Sequence, residues 1–215
     1  MPRSLFITTV IILLFLQNSI MAIETPNFKL IKKEGEFEIR EYEPMIIAMT
    51  KVKSGYREAS STGFRRIANY IFGGNQKQME IKMTAPVITD VPNVKGMYDI
   101  LFVMPSQHKF DDLPIPDDDN VELKVKELGK TAVIQFGGWA TESRATHYKE
   151  KLEQFIETSG YEINSDYMVA QYNSPWALPP FRRNEIIIMI MIIIIKLFFN
   201  KKYVFPSKGR LLQIV

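Results

Sequence analysis

The chain has 215 residues, of which 46% are apolar and 24% are charged, the composition of an ordinary globular protein with one domain. It contains no cysteine and only two histidines, which excludes disulfide scaffolds, thiol catalysis and metal sites built from several imidazoles. The net charge of +3 is misleading, because residues 23–185 carry 21 basic and 24 acidic residues. This negative balance argues against nucleic acid as a partner.

Residues 1–22 predict a secretory signal peptide, and hence a secreted or otherwise exported protein. One basic residue, Arg3, precedes an apolar run of 12 residues over 5–16, and Ala22 provides a small residue at the expected cleavage site. The run is shorter than a standard membrane span. An uncleaved N-terminal anchor is the alternative interpretation.

Residues 23–190 predict one domain in which the same order of elements occurs twice. The elements expected in the first half are strands at 37–40 and 45–51, a helix at 56–72, and strands at 79–83 and 98–104. A linker over 105–119, with three prolines and five aspartates, leads to the second half. The elements expected there are strands at 121–125 and 131–136, a helix at 142–159, and strands at 167–172 and 184–190.

This pattern predicts an α+β fold of two pseudo-repeated halves, each strand-strand-helix-strand-strand. One helix cannot cover four strands alone, so we expect the halves to join their strands into one antiparallel sheet flanked by two long helices. Periodicity alone leaves open whether the sheet closes into a barrel.

Residues 191–215 predict a low-complexity tail outside the fold. Ten consecutive Ile or Met residues cover 186–195, and we expect only the first five or six to form the last strand. A basic stretch without an acidic residue follows. We interpret the tail as a segment without a function in the protein, and a short membrane-associating anchor is the alternative. We expect no membrane association, and only under the alternative interpretation would it occur, through this tail.

Residues suited to catalysis are scarce, so the sequence predicts a protein that is not an enzyme. His108 lies in the proline-rich linker and His147 on a polar helix face, and neither occurs in a motif of nucleophilic catalysis. The aspartates at 117–119 lack the spacing of a calcium-binding loop. No metal site is expected. Methionines on the predicted strands indicate either core filling or an adaptable apolar wall for a flat ligand.

Several motifs together resemble the SOUL haem-binding protein family. They are Ile39-Arg40-Glu41-Tyr42, the helix sequence at 63–75 that ends in Gly73-Gly74-Asn75, Met83-Thr84-Ala85-Pro86-Val87, Tyr172-Asn173-Ser174-Pro175-Trp176, and Arg182-Arg183-Asn184-Glu185. The resemblance spans about residues 23–190. It implies a distorted barrel-like antiparallel sheet with two flanking helices. It also implies non-covalent binding of haem or related tetrapyrroles, as a carrier or buffer, without redox catalysis.

The resemblance also implies a binding pocket along the first helix and the loop before Arg182. The matching positions on the helix are Ser61, Phe64, Ala68 and Asn69, and Leu178 matches in the loop. Positions 61, 64, 65 and 68 share one side of a helix. Arg65 is therefore the guanidinium that we expect to meet a ligand carboxylate.

This chain departs from the family pattern at the positions that would bind iron and propionates. Some members carry basic residues where Ser61, Asn69 and Leu178 stand here, and some carry a histidine, proposed as an axial ligand, where Glu41 stands here. We therefore expect haem to be held by apolar contact and Arg65, with weak or no axial ligation by the protein.

Two other functions remain open from the sequence. Some family members are linked to signalling, so a protein-interaction module with unknown partners is one alternative. The other is a small-molecule sensor, since similar two-half folds occur in multidrug-binding domains that place an acid in an apolar cavity. Glu41 or Glu185 would then be that acid.

Overall fold

A computed structural model describes residues 23–91, 96–174 and 176–192. These residues form nine strands and two α-helices. The elements are β1 (Phe28–Glu34), β2 (Phe37–Tyr42), β3 (Met45–Lys53), α1 (Tyr56–Ile71), β4 (Val87–Val91), β5 (Met97–Val103), β6 (Glu122–Lys126), β7 (Lys130–Phe136), α2 (Glu142–Thr158), β8 (Tyr161–Gln171) and β9 (Asn184–Ile192). Within these residues, neither helix combines the length and apolar character that crossing a membrane would need.

All nine strands belong to one antiparallel sheet, in the order β1-β2-β7-β9-β8-β4-β5-β3-β6. The prediction of an α+β fold with one antiparallel sheet and two long helices is therefore confirmed. The halves exchange strands, since β2, with β1 beside it, pairs with β7 of the second half and β6 pairs with β3 of the first. The pairing of β4 with β8 joins the two groups in the middle of the sheet.

Each helix packs its apolar stripe against its own part of the sheet. The stripe of α1, which includes Ile67 and Tyr70, packs against Ile100 and Phe102 of β5. In the second half, Leu152 and Ile156 of α2 pack against strand residues that include Ile134, Ile186 and Ile188. Val91 of β4 contacts both clusters, so the helices lie on the same face of the sheet.

The opposite face of the sheet curls around a third core cluster. Ile47, Met49 and Leu101 from the first half pack there with Val133 and Met168 from the second. The sheet still does not close, because β1 and β6 each pair with a single strand. The methionines at 45, 49 and 168 are buried in this cluster, which favours core filling over a ligand-binding wall.

The structure corrects several element assignments. Residues 79–83 are not a strand, because Ile81 hydrogen-bonds instead to the carbonyl of Ile71 at the end of α1, at 2.8 Å. Strands β1 and β4 were not expected. Strand β9 runs to Ile192, two residues into the predicted tail. The predicted signal peptide and residues 193–215 of the tail lie outside the described residues.

Helix α1 approaches the sheet at Gly63 more closely than any side chain would allow. A Cβ atom built at Gly63 would lie 2.2 Å from Cγ1 and 2.5 Å from Cβ of Ile100 on β5. Ile100 is fully buried, so it has little room to move away. The glycine therefore sets the depth at which α1 sits on the sheet, and with it the position of every residue on the outer face of the helix.

We expect Gly63→Ala to lower the free energy of unfolding by about 1–3 kcal/mol, because the added methyl group overpacks the contact with Ile100. This loss exceeds the gain that alanine brings to a helix interior. Urea unfolding followed by circular dichroism measures the change. Gly55→Ala is the control, since a Cβ there meets no atom within 4 Å. An unchanged midpoint for Gly63→Ala would contradict the close approach.

Candidate functional site

The outer face of α1 brings together four of the six predicted site residues. Ser61 and Arg65 are exposed, while Phe64 and Ala68 are partly buried. The opposite face, which contains Gly63 and Ile67, is buried against the sheet. The face that the family resemblance singles out is therefore the face that α1 leaves uncovered.

The apolar residues of this face form a continuous stripe. Phe64 packs against Phe102 of β5, with ring centroids 5.4 Å apart. Ala68 and Phe72 follow at steps of four residues, which places them on the same side of the helix. Phe72, directly after α1, is 61% exposed. Phe72 is not among the predicted site residues, although its spacing of eight residues from Phe64 could have identified it.

The polar residues of this face differ in what they contact. The Arg65 guanidinium donates to the hydroxyl of Thr62 at 3.1 Å and forms no ion pair among the described residues. The Ser61 hydroxyl donates to the carbonyl of Glu58 at 3.0 Å. The carbonyl of Asn69 accepts from the backbone N–H of Gly74 at 2.8 Å. The observed contacts of Asn69 therefore lie at the end of the helix, where the chain turns.

Leu178, the sixth predicted residue, lies in the loop between β8 and β9 and is 64% exposed. This loop is fixed against the loop before α2, because the N–H of Gly138 donates to the carbonyl of Pro179 at 3.1 Å. The guanidinium of Arg182 stacks over the ring of Trp139 at 3.8 Å. Arg144 of α2 donates to the carbonyl of Gly137 at 2.8 Å. The loop therefore stands beside the start of α2.

Strand register relates this loop to α1. Phe102, on which Phe64 packs, pairs with Val87 of β4, and Val87 pairs with Gln171, the last residue of β8. The loop thus leaves the sheet two strand spacings, roughly 10 Å, from the strand that supports Phe64. We use the name α1 groove for the region between Phe64 and Ala68 of α1 and this loop, across the paired residues Val87 and Gln171. The sequence does not reveal that pairing, because register is not visible in it.

Two cavities occur elsewhere in the described residues. One of about 230 Å³ is lined mainly by the N-terminal segment and by residues near the ends of β3 and β5, including Glu24, Glu43 and His108. The other, of about 360 Å³, lies beneath α2 near Tyr167. None of the six predicted residues lines either cavity, and the assignment of the site to the α1 groove stays a prediction.

Neither histidine lies on α1 or on the loop of Leu178. His108 lines the 230 Å³ cavity and contacts Gln107, while His147 is exposed on α2 beside the ring of Tyr148. The groove residues named above thus include no imidazole. The prediction of weak or no axial ligation by the protein remains open, and none of these residues contradicts it.

The arginine and glutamate of the signature motifs form a buried ionic network. Arg40 of β2 donates two hydrogen bonds to the carboxylate of Glu185 on β9, at 2.9 and 3.0 Å. Arg40 is 3% exposed and Glu185 is 0% exposed. Arg183 donates to the same carboxylate at 2.7 Å, and so does the hydroxyl of Tyr172, also at 2.7 Å. The Tyr42 hydroxyl accepts from Arg40 at 2.9 Å.

This network determines the charge state of Glu185. Burial alone raises the pKa of Glu185, but the hydrogen bonds and charge of Arg40, with those of Arg183, outweigh burial and hold its pKa below the ordinary value. For Arg40, burial lowers the pKa, but the interactions with Glu185 raise it above its ordinary value. Glu185 is thus ionised, and its negative charge is compensated by Arg40 and Arg183. It offers no unpaired carboxylate to a cationic ligand. Glu41, the other candidate acid, is exposed on β2.

Two further motif residues also hold the backbone. The side-chain amide of Asn75 donates to the carbonyls of Tyr70 and Met79, and its oxygen accepts from the N–H groups of Lys77 and Met79. The Thr84 hydroxyl donates to the carbonyl of Val103. Much of the family signature therefore maintains the fold.

We expect Glu185→Gln to lower the free energy of unfolding by about 3–5 kcal/mol at pH 7, because it removes the fully buried counter-charge of Arg40 and leaves only the partly buried carboxylate of Glu38 beside it. The folded pKa of Glu185 is depressed, so the network contributes fully above the pKa of the unfolded chain, near 4.5, and its contribution is lost as the pH falls through the folded value. The variant should therefore lose less stability than the natural chain on acidification.

Chemical unfolding between pH 7 and pH 3 measures both effects. Glu153→Gln is the matched control, since Glu153 forms a partly exposed pair with Lys149 one turn away on α2 and helical pairs of this spacing contribute about 0.5 kcal/mol or less. Equal losses of stability for the two variants would show that the buried network stabilises the fold no more than the ion pair on α2 does.

Comparison with known proteins agrees with the motifs. The sequence profile described as SOUL heme-binding protein matches residues 23–189. Heme-binding protein 1 of Xenopus laevis is 33% identical over 187 residues, which cover 80% of this chain and 95% of the relative. Heme-binding protein 2 of Homo sapiens is 32% identical over 176 residues, which cover 77% of this chain and 85% of the relative.

Solved structures of lower identity share the fold. A hydrolase from Listeria innocua matches with a TM-score of 0.54 and 15% identity, over 75% of this chain and 94% of that one. The EcmrR C-terminal domain matches with a TM-score of 0.57 and 13% identity, over 73% of this chain and 98% of that one. At such identities the likeness concerns architecture alone. The profile match and the two heme-binding relatives decide the family: the chain belongs to the SOUL heme-binding protein family.

Proposed function

We propose that this protein binds haem or a related tetrapyrrole non-covalently in the α1 groove, as a carrier or buffer and without catalysing a reaction. The observation that carries the proposal is the partly exposed apolar stripe of Phe64, Ala68 and Phe72 on a helix that Gly63 fixes to the sheet. Family membership and the names of the heme-binding relatives support the class of ligand.

The size of the stripe suits a large flat ring. Phe64 and Phe72 are eight residues apart, which corresponds to about 12 Å along a helix. Removing roughly 300 Å² of apolar surface from water contributes about 7 kcal/mol, before the cost of association is subtracted. Micromolar binding corresponds to about 8 kcal/mol, so apolar contact supplies a large contribution but does not reach it alone, and polar contacts of the ligand with the protein must add to it.

The charges of the site favour this function over a sensor of cationic molecules. Arg65 is a cation on the groove face without an acidic partner among the described residues. Glu185 is buried and paired with Arg40 and Arg183. The groove thus suits an apolar ligand with carboxylates better than a cation.

Export is a separate proposal that rests on the sequence of residues 1–22. An exported binder of this kind would meet tetrapyrroles outside the cytosol, where it would carry them or limit their free concentration. The proposed binding does not depend on this location.

We expect titration with haemin to shift the Soret band of the natural chain at micromolar concentrations. The same titration should quench tryptophan fluorescence, because both tryptophans, Trp139 and Trp176, lie in the loops beyond the groove. We expect Ala68→Glu to weaken binding at least tenfold, since it puts a carboxylate against the apolar ring. Glutamate is a good helix former, so α1 should remain folded.

Gln154→Glu is the control, because it adds the same charge on an exposed position of α2. Phe64→Asp gives a second test of the stripe. Each variant is first compared with the natural chain by thermal unfolding, so that a loss of binding is separated from a loss of fold. Unchanged affinity in Ala68→Glu and Phe64→Asp would place the ligand elsewhere, and an unperturbed Soret band in the natural chain would end the proposal.

A further inference from the structure

The outer face of α1 changes in character along its length. Arg57, Ser61 and Arg65 follow one another at steps of four residues, and Ala68 and Phe72 continue the same side of the helix. The first half of this line is polar and cationic, and the second half is apolar. Phe64 lies beside this row of residues, at the point where its polar part meets its apolar part.

Both cations on this line lack an acidic partner in the described part of the chain. Arg57 is exposed and has no ion pair or side-chain hydrogen bond there, while Arg65 contacts only the neutral hydroxyl of Thr62. Glu58, the one acidic residue of α1, forms no ion pair with either arginine. By contrast, Lys149 of α2 pairs with Glu153 at 3.0 Å. The positive charge on α1 is therefore available to an anion.

Building on the proposed function, we infer that Arg57 and Arg65 bind the carboxylates of the tetrapyrrole and so set its orientation in the α1 groove. The carboxylate edge faces the beginning of α1, and the apolar edge lies over Ala68 and Phe72. The inferred ligands are tetrapyrroles with free carboxylates on one edge, in preference to esterified ones.

The geometry of the helix is compatible with two separate carboxylates. Arg57 and Arg65 are eight residues apart, so their Cα atoms are separated by about 12 Å along the axis. Each guanidinium has a planar set of donors that matches one carboxylate. Because both side chains are exposed, each contact should change affinity only about twofold to fivefold, and added salt should weaken it.

Haemin and haemin dimethyl ester are titrated against the natural chain, Arg57→Gln, Arg65→Gln and the double variant. We expect each single variant to lose about twofold to fivefold in affinity for haemin, and the double variant about tenfold. Affinity for the ester should be the same in all four proteins. The salt dependence of haemin binding should be smaller in the double variant than in the natural chain.

Arg66→Gln is the matched control. Arg66 is the next residue of the helix, but it points to the other side, where it donates to the hydroxyl of Thr50 and the carbonyl of Lys51. Its replacement should leave haemin affinity unchanged. The inference is overturned, and the proposed function stands, if the double variant binds haemin as tightly as the natural chain does and the natural chain binds the ester as tightly as haemin. If the natural chain gives no spectral change at all, the proposed function itself fails.

Discussion

The buried pair of Arg40 and Glu185 connects the two ends of the domain. The residues are 145 positions apart, and their two hydrogen bonds link the second strand of the chain to the last. A buried charge is strongly unfavourable without its partner, so the pair excludes arrangements of the sheet in which β2 and β9 lie far apart. The network around it also explains why the arginine and glutamate of the signature motifs occur together.

The exchange of strands between the halves makes this long-range pair possible. Strand β2 lies beside β7 of the second half, one strand away from β9, while β6 lies beside β3 of the first half. Neither half is a complete unit, because β1 and β2 extend the sheet of the second half and β6 extends that of the first. The helices cover only one face, and the opposite face packs on itself across the two halves. The α1 groove therefore rests on a sheet that both halves stabilise.

The sequence predicts those features that depend on local periodicity. Both helices were expected within two residues of their observed bounds, because their apolar residues follow a period of 3.6. Strand β1 was missed because all seven of its residues are exposed, so it shows no alternation in burial. The predicted strand at 79–83 has alternating apolar and polar residues but does not pair with a strand of the sheet, since the N–H of Ile81 bonds to the end of α1.

The candidate site also has one part that the sequence predicts and another that it does not. Ser61, Phe64, Arg65 and Ala68 share one helix face because four residues make about one turn, and the sequence shows this directly. Val87 and Gln171 enter the groove through pairing between distant strands, which no local pattern reports. Glu185 was open to interpretation as a free acid because its partner Arg40 is remote in the sequence. Its neutralisation becomes visible only in three dimensions.

The strand exchange also bears on when the chain acquires its structure. Strand β2 has no neighbour on one side until β7 has been synthesised, and Arg40 lacks its fully buried counter-charge until Glu185 follows. Contacts of such large sequence separation form slowly and only at the end of synthesis. The sheet is therefore completed only after the second half of the chain has been synthesised.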